Sequence, residues 1–333
     1  MAGRLKLRRG VIASADPLEV ELAGERRRAW ADEDLLGEMR EGDEVVVNVA
    51  ALDLGLGSGG FDVVHANLTR GLEGDGVGGE AHVMKLNYTS IQHPVEPVER
   101  TDSRGEGVPV AILPLHGHLA PAAWALAQVA PGLRVGYVQT GGGALPGSLS
   151  RDVRELRERG LLAGHVTAAP SYGGEYEALS TVGALDAASK LGWDAVLVGP
   201  GPGIIGSATE FGHGGMVALD TAHAALAVGA PTLVSPRLSG GDPRERHRGL
   251  SHHTRTVLEL LLSPVDVPIP ENQPEIAALI EHSQHRVQQV PADLDGYAAT
   301  NLPTMTMGRS LQGDPLFFAA PLAAGTYLAR VAS

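Results

Sequence analysis

The fold is decided by the stretch Val135-Gly136-Tyr137-Val138-Gln139-Thr140-Gly141-Gly142-Gly143, an apolar run that breaks into a glycine-rich loop. A helical pattern follows, and the order of apolar run, polar loop and helix recurs along the chain. The apolar runs are Val110–Leu115, Val135–Thr140, His165–Ala169, Ala195–Gly199 and Thr232–Pro236. Strands that alternate with helices predict a doubly wound, Rossmann-like α/β domain with a largely parallel sheet.

The helical segments between and after these runs have apolar residues at the spacing of one helix face, and glycines follow several of them. The predicted helices are Ala120–Gln128, Leu149–Arg159, Tyr176–Lys190, Met216–Val228, Thr254–Leu262 and Pro274–Glu281. The pattern after residue 293 is less regular, and Leu316–Arg330 fits either a strand or a helix.

The first part of the chain has a different pattern, with short β-prone runs joined by tight turns. These runs are Leu5–Ala15, Leu18–Leu22, Arg27–Ala31, Glu44–Leu52 and Phe61–Leu68. Several short strands with such turns predict a small β-barrel of the OB or SH3 kind. We therefore expect a barrel domain over residues 1–100, a polar linker over 101–107 and the α/β domain over 108–333.

Composition excludes several classes of protein and site. The 333 residues contain no cysteine, which excludes disulfides, thiolate metal sites and a cysteine nucleophile. A formal net charge of −13 argues against nucleic acid as a partner. No apolar stretch of about 18 residues is uninterrupted, and the basic N-terminus is not followed by an apolar signal core. We expect no membrane contact and a cytoplasmic location.

Two histidines follow the first apolar run of the α/β part, in His116-Gly117-His118. Ligands of open parallel sheets bind outside the carboxyl ends of the strands, so this loop is a candidate site. In an extended chain residues i and i+2 point to the same side, and both imidazoles could then bind one divalent metal or act as acid and base. The alternative is that both histidines only hydrogen-bond the turn.

Three further loops carry glycines whose backbone N–H groups could bind an anion. They are Gly141-Gly142-Gly143, Tyr172-Gly173-Gly174 and the loop with Gly201, Gly203 and Gly206. Glu175 is a candidate catalytic acid or base, and it equally fits the start of a helix. The third loop formally matches G-x-G-x-x-G, but its place in the fourth strand–helix unit favours a small anion or a tight crossover over a dinucleotide.

The segment Arg237–Arg255 concentrates arginine and histidine in an otherwise acidic chain. Arg244 and Arg248 are candidate ligands of phosphate or carboxylate, and Asp242 in the same loop is a further candidate ligand-binding residue. Asp242 also fits a capping box with Glu245 at the start of a helix. Both interpretations remain open at this point.

Three histidines in the same segment, His247, His252 and His253, are candidate catalytic imidazoles. Adjacent histidines project in different directions from a helix or a strand, so we expect one of the three to face the ligand. Ser251 fits the N-cap of the helix that follows.

Several longer strings in the chain resemble a bacterial family catalogued as domain of unknown function 3866. These strings are Gly42–Asn48, Asp53–Gly60, His82–Thr89, Gly199–Gly206, Asp242–Gly249 and Ser251–Thr254. The resemblance covers essentially the full chain. It implies no established activity, cofactor or catalytic residue.

Two hypotheses of function follow from these loops. The first is an enzyme, a hydrolase or group transferase, that acts on a small anionic metabolite bearing phosphate or carboxylate. The second is a non-catalytic ligand-binding or regulatory protein, in which the loops hold a ligand and the barrel recruits a partner. An oxidoreductase would rest on the glycine pattern alone. We also expect a homo-oligomer.

Overall fold

The computed structural model describes residues 3–57, 59–72, 81–99 and 104–333. Its contacts divide the chain into two compact units, Met1–Glu96 and Pro97–Ser333. Residues 101–103 of the predicted linker lie outside the described residues. The next residues are held by the second unit, because the N–H of Gly105 donates to Asp186 Oδ1 at 2.8 Å and that of Glu106 donates to Ser189 Oγ at 3.0 Å.

The first unit contains a closed five-stranded barrel, which confirms the predicted small β-barrel. Its strands are β1 (Leu7–Ala15), β2 (Leu18–Leu22), β3 (Glu25–Trp30), β4 (Glu44–Asn48) and β5 (Asp62–Asn67). They pair in the order β1-β2-β3-β5-β4, with β4 returning to β1, as in an OB barrel. Alternate residues point inward, so Val45 and Val47 of β4 pack with Ile12, Val20 and Val64.

One predicted strand of this unit is shorter than expected. The run Glu44–Leu52 ends as a strand at Asn48, and a short helix over Ala50–Asp53 follows it. The Asn48 side chain accepts a hydrogen bond from the N–H of Ala50 at 3.1 Å, which turns the chain out of the sheet. The other elements of this unit are α1 (Glu33–Leu36), α2 (Ala50–Asp53), β6 (Val83–Lys85) and β7 (His93–Val95).

The second unit contains an eight-stranded parallel sheet, as predicted. Its strands and those of two small hairpins are β8 (Val110–Ile112), β9 (Val135–Thr140), β10 (Gly164–Ala168), β11 (Tyr176–Ala178), β12 (Ala195–Pro200), β13 (Thr232–Val234), β14 (Leu238–Ser239), β15 (Gly249–Leu250), β16 (Asp266–Pro270), β17 (Arg286–Val290), β18 (Met305–Thr306) and β19 (Arg309–Ser310). The order in the sheet is β11-β10-β9-β12-β8-β13-β16-β17. Strand β8 therefore lies between β12 and β13, which brings the loops after these three strands together.

Helices cover both faces of this sheet. They are α3 (Leu119–Val129), α4 (Arg151–Glu158), α5 (Thr181–Lys190), α6 (Val217–Ala227), α7 (His252–Leu260), α8 (Pro274–Glu281), α9 (Leu294–Ala298) and α10 (Pro315–Ala332). Alternate strand residues belong to different apolar clusters, with Val196 and Val198 in one and Ala195 and Leu197 in the other. The sheet is thus buried on both faces, which explains its continuous apolar runs.

The prediction of one helix over Tyr176–Lys190 is wrong at its start. Residues Tyr176–Ala178 form β11, the edge strand that pairs with β10, because the sheet edge offers backbone partners that outweigh helix propensity. The helix begins at Thr181, where the Ser180 side chain accepts a hydrogen bond from the N–H of Gly183 at 2.9 Å. Near the C-terminus, the segment Leu316–Arg330, which fitted either a strand or a helix, lies in helix α10.

Helix α10 is long and apolar enough to cross a membrane by length and composition. In the structure 61% of its apolar window is buried inside the protein. Phe317, Phe318 and Leu322 belong to the same apolar cluster as Leu119 and Leu126 of α3. We therefore interpret α10 as a core helix of the α/β unit.

Candidate functional site

The loops after β8, β12 and β13 enclose a cavity of about 440 Å³ in the α/β unit. It lies where the carboxyl ends of these neighbouring strands meet, the place where open parallel sheets bind ligands. The residues that line it are Leu115, His116, Gly117, Gly203, Ile204, Ile205, Gly206, Ser207, Ala208, His213, Arg237, Arg244, Arg246, His247, His253, Thr306, Met307 and Phe317. The first histidine loop and the arginine-rich segment thus share one cavity.

His116 is held by hydrogen bonds on both ring nitrogens. Its Nδ1 lies 3.2 Å from the carbonyl oxygen of Pro200, and its Nε2 lies 2.8 Å from Ser150 Oγ. Burial is the main cause that lowers the pKa of His116, so the ring is neutral at pH 7. Neither nitrogen is left to coordinate a metal in this arrangement.

His118 is fully buried and is held by different neighbours. Its Nδ1 lies 3.1 Å from Ser235 Oγ, and its ring packs edge-on against Phe317 at 5.1 Å between centroids. Burial, followed by the charge of Arg237, lowers the pKa of His118 to about 3. The structure does not pair His118 with His116 as metal ligands, because His116–His118 is a 3-10 turn and not the extended chain that the prediction assumed.

A second group of histidines does converge. The ligand nitrogens of His247, His252 and His253 all lie within 4.8 Å of one another. Ser251 caps helix α7 by accepting a hydrogen bond from the N–H of His253 at 3.3 Å, and this places two of the rings in the first helical turn. His247 comes from the preceding 3-10 turn, and its Nδ1 lies 2.8 Å from Ser251 Oγ. All three candidate histidines of this segment therefore lie together.

These imidazoles are neutral at pH 7. Burial, followed by the charge of Arg237, lowers the pKa of His247 to about 3. Burial, followed by the neighbouring His213 and His252, lowers the pKa of His253 to about 2. A metal binds the neutral form of imidazole, so the site needs no deprotonation before it takes a cation.

Sequence reasoning missed a fourth histidine at this site, His213. Its ring stacks on that of His253, with 3.4 Å between centroids and an interplanar angle of 10°. Its Nε2 lies 3.0 Å from the carbonyl oxygen of Glu210, and its Nδ1 is buried without a hydrogen-bond partner among the described residues. The only signal in the sequence was its position in the long loop after a predicted strand.

Asp242 is a buried carboxylate shared by three arginines. It accepts from Arg244 Nε and Nη2, both at 2.9 Å, from Arg237 Nη2 at 3.2 Å, and pairs with Arg309 Nη2 at 3.5 Å. Burial opposes its ionisation, but the bonds and charges of these arginines outweigh burial and hold the pKa of Asp242 below its ordinary value. Asp242 also accepts a hydrogen bond from the N–H of Arg244 at 3.0 Å, just before the 3-10 turn that begins at Glu245. The reciprocal capping box predicted with Glu245 does not form, because the N–H of Asp242 donates to Ser239 Oγ at 2.9 Å.

The cavity wall carries an excess of positive charge. Arg237, Arg244 and Arg246 line it, and no carboxylate is among the described lining residues. Burial lowers the pKa of Arg237 to about 10, which leaves it protonated at pH 7. Arg248 does not line the cavity, since its Nε donates to the carbonyl oxygen of Asp242 at 3.0 Å. A cationic wall of this kind attracts anions and grips phosphate or carboxylate.

Some of the predicted anion-binding glycines line the cavity, and others are needed for close packing between loops. Gly203 and Gly206 line the cavity, whereas Gly201 and the loop Gly141-Gly142-Gly143 do not. A side chain at Gly142 would collide with the backbone of Gly214, and one at Gly143 with the backbone of Gly201. These glycines allow the loops after β9 and β12 to pack closely, which is a different role from the predicted anion binding.

The predicted site at Tyr172-Gly173-Gly174 and Glu175 lies away from the cavity. Its backbone donors are used within the protein, because Gly173 donates to Glu177 Oε1 at 2.6 Å and Gly174 donates to Thr167 Oγ1 at 3.1 Å. Glu175 precedes strand β11, not a helix, and forms an ion pair with Arg157 at 2.7 Å.

Comparison with known proteins adds a family but no activity. A search of the curated proteins finds no match, and neither does a search of the solved structures. The sequence model of a family described as "Protein of unknown function (DUF3866)" matches residues 28–325. The chain therefore belongs to the DUF3866 family, which confirms the resemblance that its sequence strings indicated.

Proposed function

We propose that this protein is a metal-dependent hydrolase or group transferase that acts on a small anionic metabolite bearing phosphate or carboxylate. The observation that carries the proposal is the convergence of His247, His252 and His253 within 4.8 Å beside a cavity whose wall holds three arginines. Three imidazoles suit zinc and similar divalent ions, and catalytic zinc sites commonly use three protein ligands.

The histidine environment supports this assignment. A metal-binding histidine usually donates its other ring N–H to an oxygen, which fixes the tautomer. His247 has such a partner in Ser251 Oγ at 2.8 Å, which leaves Nε2 as its ligand atom. A bound divalent ion would supply Lewis acidity toward the substrate. Arg244 and Arg246 would hold the anionic group, and Arg237 would add charge from the buried side.

A proton acceptor is also present at the site. The described lining residues include no carboxylate, and their candidate proton acceptors are the imidazoles. His116 has hydrogen-bond partners on both nitrogens, whereas Nδ1 of His213 has none. If Nε2 of His213 donates to Glu210, its Nδ1 carries the lone pair that takes the proton.

Metal analysis of the purified protein tests the proposal directly. We expect about one equivalent of a divalent transition metal per chain, as for a three-histidine site, and its loss in His247→Ala and His253→Ala. His282→Ala, an exposed histidine on the same unit, is the matched control and should keep the metal. Equal metal content in all four proteins would contradict the site.

Activity is tested separately on the metal-loaded protein with anionic chromogenic esters, a nitrophenyl phosphate and a nitrophenyl ester whose acyl group carries a free carboxylate. Arg246→Ala should weaken hydrolysis of anionic substrates while it leaves metal content unchanged. Metal binding without turnover of any anionic ester would favour the second function, non-catalytic binding of a small anion. The absence of a carboxylate among the described lining residues is the observation that favours this alternative.

A further inference from the structure

A strained hairpin tip forms part of the cavity wall. Strands β18 and β19 pair as Thr306↔Arg309, which leaves Met307 and Gly308 as a two-residue turn. Both have positive φ, 44° and 78°, as in a type I′ turn. Asn and Gly are the residues that such turns favour, and a methionine in this conformation is strained. A strained residue that persists next to a cavity is a candidate for function.

The side chain of Met307 contacts the arginines of the site. Its Sδ lies 3.7 Å from Nη2 of Arg244 and 3.8 Å from Nη2 of Arg237. An asparagine would satisfy the turn with less strain but would not place a long apolar side chain against these guanidinium groups. The hairpin therefore holds an apolar group at the edge of the anion-binding wall.

Other apolar side chains continue this surface inside the cavity. Leu115, Ile204, Ile205 and Phe317 line it together with Met307. Ile205 is 68% exposed and Met307 is 51% exposed, so both can be covered further by a bound molecule. The cavity thus presents cationic and apolar surfaces to the same occupant, and Met307 is an apolar lining residue that also contacts the arginines.

We propose that the ligand is an amphipathic anion, a phosphate or carboxylate that carries an acyl or aryl group, and that Met307 is a specificity-determining residue for that group. This inference rests on the proposed function for the anion-binding wall and names the substrate class. The anionic head binds at Arg244 and Arg246, and the apolar group packs on Met307 and Ile205, the large apolar side chains of the lining that are exposed. Inorganic phosphate or acetate would occupy only the arginine side of such a site and would leave the apolar side without a contact.

Calorimetric titration of the protein with matched probes tests this inference. Methylphosphonate and phenylphosphonate share a head group that hydrolysis cannot remove, and acetate and phenylacetate form the carboxylate pair. We expect the phenyl member of at least one pair to bind about tenfold tighter or more, because it buries apolar surface. The pair that shows this difference identifies the head group.

Three variants separate the role of Met307 from general damage. Met307→Asn should have an equal or higher Tm, since asparagine suits the turn, yet lose most of the phenyl preference. Met307→Leu should retain the preference because it keeps an apolar side chain. Met305→Asn is the matched control on the same hairpin, is 61% exposed and does not line the cavity, and should bind like the wild type.

Three results would overturn the inference. The first is equal affinity for the phenyl and small members of both pairs in the wild type. The second is a Met307→Asn variant that weakens both members of a pair equally. The third is a Met305→Asn variant with the same loss of preference as Met307→Asn. Failure of the proposed enzyme function would be detected separately, by the measurements of metal content and ester hydrolysis.

Discussion

Two groups of histidines lie at the same edge of the α/β sheet, and the imidazoles of both are neutral at pH 7. In the loop His116–His118 each ring is held by its own neighbours, Ser150 and Pro200 for one and Ser235 for the other. In the loop that leads into α7, His247, His252 and His253 turn their ligand nitrogens toward one another. Convergence of the ring nitrogens therefore separates the two groups of histidines, whatever their spacing in the sequence. A free nitrogen does not separate them, because Nε2 of His118 and Nε2 of His252 both lack a hydrogen-bond partner among the described residues.

The two loops are also anchored by different forces. Neutral hydrogen bonds hold His116 and His118, whereas the arginine-rich loop is tied to the buried carboxylate of Asp242. Removing one partner of a buried ion cluster leaves uncompensated charge, which costs more than a lost neutral hydrogen bond. The second loop should therefore be more sensitive to substitution of its anchor.

The largest effect is expected for Asp242→Asn. It leaves Arg237 and Arg244 without their shared counter-charge, while Arg309 keeps Asp314 at 3.0 Å, and it should lower the free energy of unfolding by about 3–5 kcal/mol. Glu155→Gln removes an exposed i,i+4 pair with Arg159 in the same unit and should cost about 0.3–0.5 kcal/mol. Denaturant titration measures both, and equal small losses would contradict the anchoring role.

Metal addition should separate the two histidine loops. At a free zinc concentration of about 100 times Kd, binding should raise the free energy of unfolding by about 2.7 kcal/mol. After treatment with a chelator, His247→Ala should lose this response and His116→Ala should keep it. Loss of the zinc response in His116→Ala, with the response retained in His247→Ala, would indicate that the metal binds at His116 and His118.

A smaller effect is expected at the anchor of the first loop. Ser150→Ala removes the hydrogen bond to His116 and the N-cap of α4, where Ser150 Oγ accepts from Val153 N–H at 3.1 Å. The expected loss in the free energy of unfolding is about 1–2 kcal/mol. Ser180→Ala removes only a cap, that of α5, and should cost less. Equal losses would show that the His116 contact contributes nothing to stability.

The smallest effect concerns pH. His118 titrates near 6.5 in the unfolded chain, but burial, followed by the charge of Arg237, lowers its folded pKa to about 3. Between these values the unfolded chain binds the extra proton, so stability falls as pH falls. From pH 7.5 to 5.5 the group should cost about 1 kcal/mol, measured on metal-free protein by denaturation. In His118→Gln the free energy of unfolding should fall by that much less over the same pH range. An unchanged pH dependence would contradict the lowered pKa of His118.

Sequence patterns predicted helices and strands correctly where the local signals, hydrophobic periodicity and residue preference, agreed with the tertiary contacts. Pro274–Glu281 was predicted as a helix and is one, since proline suits its first turn and apolar residues repeat on one face. Val135–Thr140 was predicted as a buried strand and is β9. Tyr176 was placed in a helix and lies in an edge strand, because pairing with β10 is a distant contact that local propensity does not contain.

The site was predicted less completely for the same reason. His247, His252 and His253 were named from one dense segment, but their convergence depends on the turn before α7 and the cap at Ser251. His213 and Arg309 were missed because they lie far from that segment in sequence. The predicted homo-oligomer, anionic partner and cytoplasmic location stay predictions.

The amino-acid sequence was enough to predict a barrel followed by a doubly wound α/β unit, and to require that any metal is held without cysteine. Hydrophobic periodicity and composition are properties of the sequence alone. Three features depend on the folded chain: which imidazoles converge, the contact of Asp242 with three arginines, and the contact of the strained Met307 with two of them. These contacts depend on strand order and loop packing, which join residues distant in sequence.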